Sequence, residues 1–131
     1  GIAMAACVGM LPTGLAGVSD RIRVRSVVGR FLEHTRVIYF RWGEGAEDEA
    51  LYLSSADWMG RNMFRRIEIA WPVTDPVLRQ RVIDECLVPY LRDQRDAWTL
   101  GSDGQYQRVA DHGLSAQAAL MDRYMTRGET R

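Results

Sequence analysis

Residues 35–55, TRVIYFRWGEGAEDEALYLSS, decide how the rest of the chain is read. Residues 35–42 are rich in aromatic and β-branched side chains, which suit a pleated, half-buried surface, and they read as a strand. The acidic GEGAEDE at 43–49 is a solvated loop, and ALYLSS at 50–55 is the returning strand of a hairpin. Beyond it, residues 57–63 read as a turn with one or two helical turns, and RIEIAWPV at 66–73 as a further strand.

Before the hairpin the signals compete. Ser19-Asp20 ahead of RIRVRSVVGRFLEH looks like a helix cap, yet Ile22 and Val24 alternate with arginines as a strand would. The combined pattern predicts a short extended piece at 21–24 and a helix over about 26–33. AACVGML at 5–11, closed by Pro12 and TGLAG, predicts a strand and then a loop.

After the hairpin the signals agree. Asp75-Pro76 opens a helix with an N-cap acid and a proline at N1, and apolar residues recur at helical spacing through Leu91. Ser102-Asp103-Gly104 marks a short hairpin over 97–109. An amphipathic helix follows at about 115–125, with a frayed tail. Strands and helices alternate without repeats, so the expected class is α/β (α+β): one domain with a mixed sheet flanked by helices.

The 131 residues are 47% hydrophobic and 26% charged, as in a globular domain that needs no metal or disulfide staple. Seventeen basic side chains balance seventeen acidic ones, which excludes bulk electrostatic attachment to nucleic acid or anionic membrane. All seventeen basic residues are arginine. Each offers a planar, permanently charged fork suited to phosphate or carboxylate, and lysine Schiff-base chemistry is excluded. Cys7 and Cys86 have no metal-site spacing and read as reduced thiols of a cytosolic protein. With only His34 and His112, no metal site is expected. The apolar runs are far short of a membrane span.

Nine of the seventeen arginines lie between residues 21 and 68, grouped as Arg21, Arg23, Arg25 and Arg30, then Arg36 and Arg41, then Arg61, Arg65 and Arg66. His34 falls at the expected junction of helix and strand. There it serves either as a held, accessible acid–base or phosphate group or as a helix C-cap. In LSSADWMGRN, residues 53–62, Ser54, Ser55 and Asn62 either donate to phosphoryl oxygens, or orient a histidine ring, or form a turn that starts the next helix. Arg66 and Glu68 share one strand face as an ion pair, or Glu68 orients an imidazole.

A histidine, a strand, an S-S-A-D-x-x-x-x-N turn and a strand glutamate together resemble half of a phospholipase D-like site. The strict H-x-K-x-x-x-x-D pattern is broken: counted from His34, its lysine position is Arg36 and its aspartate position is Arg41. That departure argues against a self-sufficient phosphodiesterase and against His34 as a covalent nucleophile.

GVSDRIRVRSVVGRFLEHTRVIYF (17–40), LYLSSADWMGRNMFRRIEIAWPV (51–73) and DPVLRQRV (75–82) resemble the C-terminal domain of bacterial polyphosphate kinase, the phosphohistidine-forming type. The likeness runs collinearly from about Cys7 onward. WTLGSDGQYQRV and SAQAALMDRY are similar to that family's variable tail. The resemblance implies the second of two phospholipase D-like domains. It also implies reversible transfer of the terminal phosphate of ATP to polyphosphate, with ATP or ADP as substrate and magnesium held by ligands outside this chain.

His34 then matches the F-L-E-H histidine at the nucleotide phosphates. The histidine that becomes phosphorylated belongs to the preceding domain, so this chain would hold half a site and be inactive alone. Arg36, Arg41, Arg61, Arg65, Ser54, Ser55 and Asn62 are candidates for phosphate or nucleotide contact, with Asp57 and Glu68 as orienting groups. Counted back from Ser19, the arginine of the family's R-G-I-C-type opening strand would fall at Ala6. Either residues 1–6 are foreign to a domain spanning 7–131 or the contact is lost; GIAMAA does not resemble that opening strand, which favours the first.

Expected partners are the remaining domains of the same enzyme, polyphosphate and ATP, with no nucleic acid and with homo-oligomers in the full-length protein. A cytoplasmic location is expected, with peripheral membrane association left open. Two further readings stand beside this one: a non-catalytic phosphate-binding and assembly domain, and a phospholipase D-type phosphodiesterase completing its site across a homodimer.

Overall fold

A computed structural model describes residues 2–5, 17 and 21–128. The strands divide between two sheets, each in its own compact unit: one unit takes the chain up to Leu32 and from Val88 onward, the other is residues 33–87.

The first unit holds a four-stranded sheet ordered β1-β2-β6-β7, from β1 (Ile2–Ala5), β2 (Ile22–Val27), β6 (Ala97–Leu100) and β7 (Tyr106–Arg108). β1 runs parallel to β2, and the other pairs are antiparallel. Of the strand expected over 5–11, Ala5 ends β1. Residues 6–11, the glycine-rich loop up to Ala16 and the Ser19-Asp20 cap lie outside the described residues.

The helix expected over 26–33 does not form. β2 continues to Val27 and pairs Ser26 with Trp98 and Val27 with Ala97. The two-residue alternation decides the contest: Val24 and Ser26 are buried while Arg23 faces solvent. Beyond β2 the chain has a substitute for helical hydrogen bonds. The Gln117 side chain accepts from the Phe31 N–H at 2.9 Å and donates to the Phe31 carbonyl at 2.7 Å. Gly29 permits this close approach, because a Cβ there would overlap the Gln117 amide.

Helices α3 (Val88–Arg92) and α4 (Ala116–Gly128) complete this unit. Asp93 is fully buried and accepts from the Asp96 and Ala116 N–H groups, both at 2.7 Å. A carboxylate is thereby fixed at the N-terminus of α4, where the helix dipole favours negative charge. Arg25 donates to the Leu91 carbonyl at 2.5 Å and the Tyr90 carbonyl at 3.2 Å, occupying acceptors at the end of α3. That arginine has a structural task.

The second unit is built on the hairpin. β3 (Val37–Arg41) pairs antiparallel with β4 (Glu49–Ser54), and β4 with β5 (Ala70–Pro72). The strand expected over 66–73 is therefore reduced to three residues at the sheet's edge, where Pro72 costs no ladder hydrogen bond. Ahead of it, Ser55 takes over the pairing: its N–H donates to the Ile69 carbonyl at 2.9 Å, and its Oγ accepts from the Ile69 N–H at 3.0 Å.

Helix α1 (Gly60–Arg65) lies between β4 and β5. Helix α2 (Pro76–Val82) starts as its sequence requires, with Asp75 accepting from the Leu78 N–H at 2.8 Å and Pro76 at its first position, and a π-helical segment (Ile83–Leu87) follows. Glu49 ties the hairpin to α2, accepting from the Tyr39 hydroxyl at 2.5 Å and pairing with Arg79 at 3.2 Å.

Candidate functional site

The candidate residues gather where β3 begins and β4 ends. Residues 21–33 contain no helix, so the helix C-cap reading of His34 falls; the histidine stands exposed in the irregular segment between β2 and β3. Its Nδ1 lies 3.2 Å from Arg36 Nη2. In extended backbone, residues two apart share a side, which brings the imidazole and the guanidinium together.

Arg36 is held from the other side. Its Nε donates to Asp57 Oδ1 at 2.7 Å, a short, charge-assisted bond. That bond holds the Asp57 carboxyl below its ordinary range; burial opposes it, and the charges of Arg36, His34 and Arg61 add to the lowering. The fork of Arg36 thus spans an aspartate and a histidine.

Asp57 is itself positioned. Asn62, only 2% exposed, donates Nδ2 to the Asp57 carbonyl oxygen at 3.0 Å. The oxygen of the same side-chain amide, Asn62 Oδ1, is buried without a partner. Asn62 therefore acts from beneath the cluster, shaping the turn that carries Asp57.

The two serines are occupied within the fold. Ser54 Oγ accepts from the Ala56 N–H at 3.1 Å, as in an ST-turn, and the Ser54 N–H extends the ladder to the Arg36 carbonyl at 3.0 Å. Ser55 Oγ donates to Glu68 Oε2 at 2.5 Å. Glu68 thus meets Ser55 and adds its negative charge to the surroundings of Arg36. No ion pair joins it to Arg66, which caps α1 in extended conformation.

The remaining arginines separate. Arg61, on α1, is close enough to lower the Asp57 carboxyl, and Arg65 ends the same short helix, exposed. Arg41 sits at the far end of β3, five residues from Arg36 and about 17 Å away at the ordinary strand rise. It donates to the Gly43 carbonyl at 3.1 Å and meets Glu44 at 3.5 Å. What the sequence reading missed is the pairing of His34 with Arg36; their spacing of two ahead of a strong strand was the available signal.

The exposed cluster is suited to an anion: an imidazole, a braced guanidinium and a further arginine, with its carboxylates already engaged. It is poorly suited to a divalent cation. Asp57 is engaged by Arg36 and Glu68 by Ser55, and among the described residues no three His, Cys, Asp or Glu side chains converge. No helix among those residues is long and apolar enough to cross a membrane.

Residues 3–119 match the family model described as polyphosphate kinase C-terminal domain 2. The chain is 55% identical over 98 residues to a polyphosphate kinase of Burkholderia lata, covering 75% of this chain and 14% of that one. It is 47% identical over 116 residues to the polyphosphate kinase of Paraburkholderia phytofirmans, covering 87% of this chain and 16% of the relative. The chain thus spans about a seventh of the length of the curated relatives it matches. In three dimensions it is similar to the crystal structure of polyphosphate kinase from Porphyromonas gingivalis. That match has a TM-score of 0.72 and 38% identity, over 86% of this chain and 17% of the other. The mixed α/β fold, with helices accompanying small sheets, agrees with the phospholipase D-like architecture expected above.

Proposed function

The chain belongs to the polyphosphate kinase family as its C-terminal domain, and from that premise we propose that it supplies half of the site where the terminal phosphate of ATP passes reversibly to polyphosphate. The carrying observation is the exposed group of His34 and Arg36, with Arg61 nearby, its one directly paired carboxylate spent on bracing Arg36.

Transfer between phosphate oxygens makes little demand for covalent help and a large one for positioning and charge neutralisation. Arginine forks meet that demand, because each presents paired N–H donors to non-bridging oxygens. In this reading His34 touches the phosphoryl group in transit, and Arg36, Arg61 and Arg65 neutralise the chain of phosphates beside it. Ser54, Ser55 and Asn62 hold the frame, with Asp57 and Glu68 behind Arg36. Arg41, at the far end of β3, is left out of the group.

The rest of the full-length enzyme is the necessary partner. It contributes the histidine that is phosphorylated and the ligands of magnesium, which when bound would neutralise charge on the transferring phosphates. The chain alone is then inactive, and the complete protein is a cytoplasmic homo-oligomer. The residues on this side bind and orient.

Titration of the 131-residue chain with short-chain polyphosphate or ATP–magnesium, followed by NMR of its two histidines, tests the reading. His34 should shift while His112, beside Asp111 in the other unit, stays still. Movement of arginine signals with an unmoved His34 would instead favour the phosphate-gripping assembly domain.

A further inference from the structure

His34 has two ring nitrogens, and the fold deals with them differently. Nδ1 faces Arg36 Nη2 at 3.2 Å, and no described residue bonds Nε2. A guanidinium is a donor only, and it does not lose its proton in proteins. The contact is a hydrogen bond only when Nδ1 offers its lone pair. In the neutral ring the proton must then sit on Nε2.

We propose that Asp57 and Arg36 form a tautomer lock that makes His34 an Nε2–H hydrogen-bond donor to a phosphate oxygen. Asp57 Oδ1 grips Arg36 Nε at 2.7 Å, which fixes one edge of the planar fork and aims its other edge at the imidazole. Asn62 sets the turn that presents Asp57, through its bond to the Asp57 carbonyl. The lock has a chemical consequence. A nitrogen attacks phosphorus through a free lone pair, and in the locked ring Nδ1 has given its pair to Arg36 while Nε2 carries hydrogen. His34 is thereby kept a ligand of the phosphate and is withheld from forming a bond to phosphorus.

Asp57 and Arg36 act here through the histidine, as positioning residues. The functional use of the lock rests on the proposed phosphate site, whereas the lock itself is a property of this chain and can be tested without turnover. The charged and titratable groups around it are Arg36, Asp57, Arg61 and Glu68.

The test is a two-bond nitrogen–proton correlation spectrum of the imidazoles in the 15N-labelled chain, at about pH 8.5, where an ordinary histidine is neutral. The expected spectrum has His34 as a single Nε2–H tautomer, with Nδ1 in the range of an unprotonated acceptor. Arg36→Met and Asp57→Asn should each return it to an exchanging mixture, while Asp57→Glu should keep the lock. The backbone amide spectrum confirms that each variant is folded.

A mixture in the unaltered chain, or a tautomer indifferent to Arg36→Met in a folded variant, overturns the lock. In full-length polyphosphate kinase, Asp57→Asn should lower kcat by about 10–100-fold with little change in KM for ATP. Full activity there, with the lock present in the unaltered chain and lost in Asp57→Asn, would overturn the phosphate reading of His34 and leave the tautomer assignment standing.

Discussion

Asp57 Oδ1 lies 2.7 Å from Arg36 Nε, joining the turn after β4 to the first residue before β3. The pair is partly open to water, with side chains 26% and 49% exposed. Its worth is in direction more than in stability, since exposed ion pairs contribute little to folding.

The Asp57 carboxyl should titrate below the ordinary aspartate range, chiefly because Arg36 donates to it. Folding lowers its pKa, so whatever the pair adds to stability is present above the unfolded value and fades as pH falls through the lowered one. A carboxyl-carbon NMR titration should give a low midpoint for Asp57 that rises toward the ordinary value in Arg36→Met. An unchanged midpoint would mean that Arg36 does not engage it in solution.

Gln117→Ala should destabilise the first unit by about 1–3 kcal/mol, because the N–H and carbonyl of Phe31 both lose their partner. Denaturant unfolding measures this directly. Gly29→Ala should be destabilising for the same reason, since its methyl group displaces the amide that makes both bonds.

These two residues also show where sequence reading was blind. The helix expected over 26–33 had a cap signal ahead of it, but Gln117, 86 positions away from Phe31, satisfies the backbone there instead. Local periodicity carries no information about such a partner. The hairpin was legible because β-branched and aromatic residues flank an acidic loop, and α2 because Asp75-Pro76 marks its start unambiguously. β5 was overextended because RIEI alternates like a strand, whereas Ser55 takes the pairing role at Ile69. The chemistry at the site was partly legible: residue types and family likeness pointed to His34 and its neighbours, but the division between bracing and exposed groups required the geometry.

Asp93→Ala should cost about 1–3 kcal/mol or more, since it leaves the Asp96 and Ala116 N–H groups unpaired in a buried place. Thermal unfolding should show a lower midpoint. An unaffected midpoint would contradict the role of Asp93 as the joint between β6 and α4.

Cys86 should be a slow thiol. Burial raises its pKa first, the charges of Glu85 and Glu33 raise it further, and Arg81 opposes them. Less thiolate is then present near neutral pH, so alkylation should be slower than for an exposed cysteine peptide. Mass spectrometry of the peptide containing Cys86 separates it from Cys7.

The most direct measurement is steady-state phosphotransfer by full-length polyphosphate kinase carrying His34→Ala, with the thermal midpoint recorded alongside. Loss of one well-placed phosphate donor should lower kcat by about 100–1,000-fold, while the midpoint stays nearly where it was, because His34 is exposed and its bond to Arg36 is an exposed one that adds little to folding. A variant that is folded and turns over at the unaltered rate would contradict a phosphate half-site at His34.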